Sequence, residues 1–161
     1  MTPAEYRALA EFRFLIRRFL NNSEKAARSV GLEPQQYQGL LTLRGLPTGQ
    51  EPTIRALAAR LQIRHHSAVE LVDRMEKRGL FRRERSRNDR RAVLLRVTPR
   101  GEKLLSRLVR HRIAEMAESG PALARALSAV IGASANGTAY GRARAGKHQW
   151  RARPGNKRPG V

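Results

Sequence analysis

Arginine side chains dominate the stretch from Arg82 to Arg100 and set the chemistry available to it. Eight arginines fall in this stretch against two acids, Glu84 and Asp89. A guanidinium is a planar fork that meets a phosphate or a guanine edge through two hydrogen bonds at once. The stretch therefore favours a phosphate backbone and a narrow minor groove as its partner. Its arginines are Arg82, Arg83, Arg85, Arg87, Arg90, Arg91, Arg96 and Arg100.

A second polar set lies on one face of a predicted helix from His65 to Arg78. The helix has an apolar face at i, i+3, i+4 and i+7, which predicts burial of that side. A helix of this kind can lie in a major groove with its N-terminal turns toward the base edges. The apolar residues are Ala68, Leu71, Val72 and Met75, and the candidate groove-facing residues are His65, His66, Ser67, Glu70, Arg74 and Arg78.

Two of these residues have a second interpretation. Arg74 either reads guanine through its fork or pairs with Glu70 one turn earlier in the same helix. Glu70 would repel phosphate, so it either accepts a hydrogen bond from cytosine or points away from the DNA.

The sequence does not suggest catalysis, a cofactor or a metal site. It has no Ser/His/Asp arrangement, no paired carboxylates and no Gly-rich phosphate loop. The adjacent His65 and His66 would point about 100° apart on a helix, with no obvious third ligand near them in sequence. The chain has no cysteine, which excludes disulfides, zinc fingers and cysteine-based redox sensing.

The charge of the chain predicts a polyanionic partner. The formal net charge is +20, and 28 of the 33 basic residues are arginine. Nucleic acid and an anionic membrane surface both fit such a charge, which alone does not choose between them. No apolar run approaches 18 residues and the N-terminus lacks a signal-peptide pattern, so we expect a cytoplasmic protein without a membrane partner.

The predicted elements are mainly α-helices with one small β-hairpin. Thr53 is placed to cap a short helix, and the helix beginning at His65 follows after a tight turn. Phe81–Arg85 and 92–97 are rich enough in β-forming residues to pair as a hairpin. Two short helices followed by a basic β-ribbon are typical of a winged helix-turn-helix, here over residues 53–98.

Helices are also predicted on both sides of this winged helix. The first helix, up to Ser29, has so wide an apolar stripe that it packs either on its own core or in a dimer interface. The second helix places Tyr37, Leu40, Leu41 and Leu43 inward. A helix from Pro99 to Glu118 should break at residues 119–121, before a last helix over 122–131. Residues 132–161, with six glycines and no acid, are predicted to be a disordered basic tail after a domain of residues 1–131.

Five segments, in this order, resemble the MarR family of winged-helix transcriptional regulators. The resemblance covers roughly residues 5–131. The segments are 31–37 (GLEPQQY), 54–61 (IRALAARL), 71–80 (LVDRMEKRGL), 89–91 (DRR) and 97–101 (VTPRG).

The resemblance implies a homodimer held by the first and last helices. It implies that Arg90 reaches the minor groove with Asp89 holding it in place, whereas Arg85, Arg87 and Arg91 are candidate phosphate contacts. It also implies a cleft for a small aromatic or phenolic effector, for which Phe19 and Tyr37 are candidates, with core packing as their alternative role. The wing departs from the family pattern at Ser86 and Asn88, where the family often has Asp and Arg.

The sequence therefore predicts a double-stranded DNA-binding transcriptional regulator, not an enzyme. We expect a repressor that binds a pseudo-palindromic operator as a homodimer, with the recognition helix in the major groove and the wing in the minor groove. The first alternative is a sequence-neutral nucleic-acid packaging protein, favoured by the charge and the basic tail. The second is a helical module whose winged helix contacts protein, which the arginine-rich wing disfavours.

Overall fold

The structure is a computed structural model that describes residues 2–86 and 92–145, with side chains described up to residue 133. The predicted fold class, mainly α with a small β-hairpin wing, is confirmed. The elements in chain order are α1 (Pro3–Ser29), α2 (Pro34–Arg44), α3 (Ile54–Leu61), α4 (His65–Lys77), β1 (Phe81–Arg85), β2 (Val93–Val97) and α5 (Pro99–Ala145).

The chain forms two compact units. Residues 17–120 form one unit, and the described parts of residues 1–16 and 121–161 form the other. Helices α1 and α5 each contribute residues to both units. No helix among the described residues combines the length and the apolar character needed to cross a bilayer.

One hydrophobic core holds the winged helix together within residues 17–120. It joins α2, α3 and α4 to both strands of the wing and to the first turns of α5. The predicted inner face of α4 is confirmed, because all four of its apolar residues are buried. The antiparallel wing pairs Phe81 with Val97 and Arg85 with Val93. The most deeply buried residues of the hydrophobic core include Leu40, Leu57, Leu71, Met75, Phe81 and Leu95.

The inward face of α2 differs from the prediction at one residue. Tyr37, Leu40 and Leu43 are buried as predicted, but Leu41 is exposed. The buried stripe runs through Gln36, Leu40 and Leu43, which are spaced i, i+4 and i+7. Leu41 is turned about 100° from Leu40 and therefore leaves that stripe.

The predicted helix break at residues 119–121 is wrong. Helix α5 continues through Pro121 to Ala145, although the boundary between the two units falls at the same place, between Gly120 and Pro121. The proline removes one backbone donor, but the alanine- and leucine-rich residues after it have high helix propensity. Extending an existing helix is also much easier than starting a new one.

The prediction of a disordered tail from Gly132 is wrong for residues 132–145, which lie in α5. This segment is rich in glycine, but it also holds five alanines and directly follows a formed helix. Residues 146–161 of the predicted tail lie outside the described residues.

A close approach fixes the start of α5 against the wing. Thr98 caps the helix, since its Oγ1 accepts a hydrogen bond from the Gly101 nitrogen at 3.1 Å and donates one to the Gly79 oxygen at 2.6 Å. A Cβ at Gly101 would lie 2.6 Å from the Leu80 oxygen and 2.9 Å from Val97 Cγ1. Gly101 therefore allows the helix to pack directly on the wing.

Replacing Gly101 with alanine is expected to lower the free energy of unfolding by about 1–3 kcal/mol, because the new methyl group overpacks the contact. The matched control is Gly132→Ala in the same helix, where an added Cβ would meet nothing within 4 Å and alanine raises helix propensity. Urea denaturation at one protein concentration would measure both. Equal stability of the two variants would contradict the close packing at Gly101.

Candidate nucleic-acid interface

The outward face of α4 is polar and open to solvent. His65, His66, Glu70 and Arg74 are exposed, and Ser67 is half-buried. No ion pair joins Glu70 to Arg74 in the part of the chain that the structure describes. The alternative in which Arg74 is held by Glu70 therefore has no support here, and the Arg74 guanidinium is available to a partner.

The turn between α3 and α4 sets the angle of the outward helix. Thr53 Oγ1 accepts a hydrogen bond from the Ala56 nitrogen at 3.2 Å and begins α3. At the other end, Gln62 adopts a left-handed conformation with φ of 54°. This residue ends α3 and allows the Ile63 nitrogen to donate to the Ala58 oxygen at 3.1 Å.

Three exposed arginines beside this turn are absent from the predicted site. Arg55 lies in the first turn of α3, Arg60 near its end, and Arg64 at the N-cap of α4. No acidic residue lies in the first turn of α4. The signal that could have found them is their position, because polar residues around the first helix of a helix-turn-helix face the DNA backbone.

The arginines of the wing divide into paired and unpaired groups. Arg82 and Arg96 both pair with Glu84, at 2.6 and 3.2 Å. Arg83 instead turns toward α4 and pairs with two carboxylates there. Arg85 is exposed and makes no ion pair with the described residues. The predicted tip residues Arg87, Asp89, Arg90 and Arg91 lie outside the described residues.

Arg78 lies in a different setting from the rest of the predicted groove-facing set. Its guanidinium donates to the Gly31 oxygen at 2.6 Å and to Gln36 Oε1 at 2.5 Å. These bonds tie the end of α4 to the corner between α1 and α2. The geometry favours a structural role for Arg78 over contact with a groove.

A buried polar cluster joins α1, α2 and α5 and contains both predicted ligand residues. Arg112 is 7% exposed, forms an ion pair with Glu115, and lies 4.6 Å from the centre of the Phe19 ring. Asn22 Nδ2 donates to Glu115 Oε1 at 3.1 Å. Burial raises the pKa of Tyr37, although the charge of Arg112 partly offsets this.

Arg112 is the member of this cluster that sequence reasoning missed. Arg112 lies i+4 from Leu108 and i+7 from Leu105, so its spacing places it on the buried face of α5. Its contacts with Phe19 on α1 and its ion pair with Glu115 accommodate the charge there. A groove of about 680 Å³ between α1 and α5 opens onto Asn22 and Glu115. In the described part of the chain, no three His, Asp or Glu side chains come together as a metal site.

Comparison with known proteins gives one family. Residues 30–92 match a model of the MarR family. AbsC, a MarR family transcriptional regulator from Streptomyces coelicolor, aligns with a TM-score of 0.63 at 24% identity over 74% of this chain and 80% of AbsC. No curated protein sequence matches the chain.

Two further solved structures have the same fold. CouR from Rhodococcus jostii, bound to p-coumaroyl-CoA, is 26% identical with a TM-score of 0.57, over 69% of this chain and 79% of CouR. A mutant of MepR from S. aureus, bound to an oligodeoxyribonucleotide, is 19% identical with a TM-score of 0.57, over 67% of this chain and 77% of MepR. The matched residues 30–92 span the helix-turn-helix and the first strand of the wing. Residues 30–92 therefore resemble the MarR family of winged-helix transcriptional regulators, and the chain has the winged-helix fold of these solved structures.

Proposed function

We propose that the chain represses transcription as a homodimer that reads a pseudo-palindromic DNA site. The observation that carries this proposal is the exposed polar face of α4, set directly beside a basic wing. This face presents hydrogen-bond donors and acceptors at His66, Glu70 and Arg74. None of these side chains has a hydrogen-bond or ion-pair partner among the described residues. Such a face suits the major groove, where each base pair has a distinct pattern of donors and acceptors.

The flanking arginines supply contacts to phosphate. Arg55 and Arg64 on the helix-turn-helix and Arg85 on the wing are exposed. Contacts of this kind fix the register of the protein on DNA but carry no sequence information. The wing tip, with Arg90 held by Asp89, would enter the minor groove as the family resemblance implies. A MepR mutant with the same fold is bound to an oligodeoxyribonucleotide, which supports DNA as the partner.

Self-association is supported by apolar side chains that the single chain leaves exposed. In the unit of residues 17–120 these include Leu20, Ile113 and Met116. In the other unit they are Tyr6, Leu9, Phe14, Leu127 and Ile131. These side chains lie on α1 or α5, the helices predicted to form the dimer, whereas Leu41 on α2 and Val93 on β2 are the other exposed large apolar side chains of the described residues. Exposed apolar surface of this kind marks a protein interface.

Replacing Arg74 with alanine tests the major-groove assignment. We expect a loss of about 1–3 kcal/mol of discrimination at one base pair in each half-site. The measurement is the affinity for a selected duplex against duplexes carrying each other base at that position. Arg107→Ala is the matched control, since Arg107 is an exposed arginine on α5 outside the winged helix. If Arg74→Ala and Arg107→Ala change the affinity equally at every base pair, the assignment of α4 to the major groove is contradicted.

Release of DNA by an aromatic effector is a separate part of the proposal. Its support is the cluster of Phe19, Tyr37 and Arg112 next to a groove of about 680 Å³, together with the ligand-bound CouR. A carboxylate ligand would have to compete with Glu115 for Arg112. Titrating a bound duplex with p-coumaroyl-CoA and with p-coumarate tests this part, and no change in duplex binding with either compound argues against this chemical class.

Sequence-neutral packaging of nucleic acid remains the alternative because the net charge is +20. Packaging depends on phosphate contacts alone, so affinity would fall steeply with salt and hardly change with sequence. The exposed reading face of α4 favours the regulator over this alternative.

A further inference from the structure

Arg83 differs from every other described arginine of the wing. It is the third residue of β1 and pairs in register with Leu95, yet its side chain crosses to α4. Its Nη2 lies 2.5 Å from Asp73 Oδ1, and its Nη1 donates to Glu76 Oε2. Its backbone nitrogen also donates to Glu76 Oε1 at 3.1 Å. One residue of the wing is therefore bound three times to the last turns of the recognition helix.

The connection between these two elements is short and well defined. Only Arg78, Gly79 and Leu80 lie between α4 and β1. Gly79 has φ of 65°, and the Leu80 nitrogen donates to the Met75 oxygen at 2.9 Å, as in a Schellman motif. The linker fixes where the wing begins. Farther along the wing, the Leu95 nitrogen donates to the Pro52 oxygen at 2.7 Å and ties β2 to the loop before α3, whereas the Arg83 bonds tie β1 to α4.

The Arg83 bonds are well placed to fix the tilt of the wing against α4. The side chain is 29% exposed, so its ion pairs are less screened than those of the more exposed Arg82 and Arg96. The planar guanidinium engages two carboxylates spaced i and i+3 on one face of α4, a geometry that an ammonium group does not reproduce. The single positive charge of Arg83 offsets only one of the two negative charges, so a net charge of −1 stays with this group of three side chains.

We propose that Arg83 is a positioning residue that clamps the wing to the recognition helix and so matches the wing to the minor groove beside each half-site. The clamp involves no contact between Arg83 and DNA. The effect of the clamp on base preference rests on the proposed function. Its effect on the position of the wing relative to α4 does not.

The effect of the clamp on the position of the wing can be measured without DNA. The chain has no cysteine, so spin labels can be placed at Arg64→Cys and Val93→Cys, two exposed positions at the start of α4 and in β2. Arg83→Met should broaden the distribution of distances between the labels. The distribution in Arg83→Lys should be narrower than in Arg83→Met but broader than in the wild type. The control Arg82→Met, next to it on β1, should leave the distribution unchanged. An unchanged distribution in Arg83→Met would overturn the clamp.

Base preference gives the second readout. Selection from a randomised duplex pool should show that Arg83→Met flattens preference at the flanking positions next to the half-sites by about tenfold, within the range for a lost specific contact. Preference at the positions read by α4 should stay as in the wild type. The double variant Asp73→Asn/Glu76→Gln should reproduce this pattern with the arginine intact, which keeps the test available if Arg83→Met does not fold.

Two results separate the failure of the clamp from the failure of the proposed function. If Arg83→Met loses base preference equally at all positions and leaves the distance between the labels unchanged, the positioning role is overturned. If the wild type itself shows no base preference, the proposed function fails, and the label distances still decide whether the clamp exists.

Discussion

Replacing Arg112 with methionine is expected to lower the free energy of unfolding by about 3 kcal/mol, because it removes one partner of a buried ion pair and leaves the other. Arg112 is 7% exposed and pairs with Glu115, and its Nη2 donates to the Phe19 oxygen at 3.3 Å. The variant keeps most of the side-chain volume, so the loss reports the charge and the hydrogen bonds. Urea denaturation at a fixed protein concentration measures it, since the proposed dimer would make stability depend on concentration.

Two comparisons make this result specific. Arg110→Met removes an exposed arginine from the same helix and should change stability by less than about 0.5 kcal/mol. The double variant Arg112→Met/Glu115→Gln should recover part of the loss, because it no longer leaves a carboxylate without its partner. A loss in Arg112→Met no larger than in Arg110→Met would mean that the buried pair contributes nothing to the fold.

The same pair predicts how stability depends on pH. Burial works to raise the pKa of Glu115, but the hydrogen bond from Asn22 and the charge of Arg112 outweigh it and hold the pKa below its usual value of 4.5. The pair therefore stabilises the fold above that value, and the stabilisation is lost as the pH falls through the lower, folded-state pKa. Glu115→Gln should lose stability less steeply than the wild type below pH 4.5.

Replacing Ile113 with glutamate is expected to weaken self-association by at least about 100-fold, because the proposed dimer would bury the new charge in an apolar contact. Ile113 is 66% exposed in the single chain, so the substitution should cost little in the stability of the winged helix itself. Sedimentation velocity over a range of protein concentrations would measure the dimer. Binding to a two-half-site duplex should weaken in parallel.

The control for this substitution is Ser106→Glu, which adds the same charge at an exposed polar position of α5. It should leave the dimer intact. If Ile113→Glu and Ser106→Glu dissociate at the same concentration, the exposed apolar face of α5 is not the interface.

The winged helix could be predicted from the sequence because its signals are local. The i, i+3, i+4, i+7 pattern of α4 depends on residues close together in the chain, and the structure confirms the burial that it predicts. The extent of α5 could not be predicted, because Gly120 and Pro121 resemble a stop signal while the alanine-rich segment beyond them continues the helix.

The candidate site was predictable in its outline but not in its ion pairs. The stretch 82–100 holds eight arginines, yet three of the described ones are held by Glu84 or by the carboxylates of α4. The ion pairs of Arg83 and Arg96 join residues that are 7 to 12 positions apart and lie on two different elements. Arg82 and Glu84 lie on one strand. A count of charges does not show which residues pair. Arg112 was not singled out, and Arg78 was placed in the groove-facing set, because the sequence does not reveal their distant partners, the Phe19 and Gly31 oxygens.

The most direct test of DNA reading by the winged helix is selection from a randomised duplex pool with the full chain at several salt concentrations. We expect enrichment of a two-fold symmetric site whose half-sites lie about 10 base pairs apart, with the same preference at each salt concentration while affinity falls. A steep loss of affinity with salt and no enriched sequence would contradict sequence-specific recognition and favour packaging.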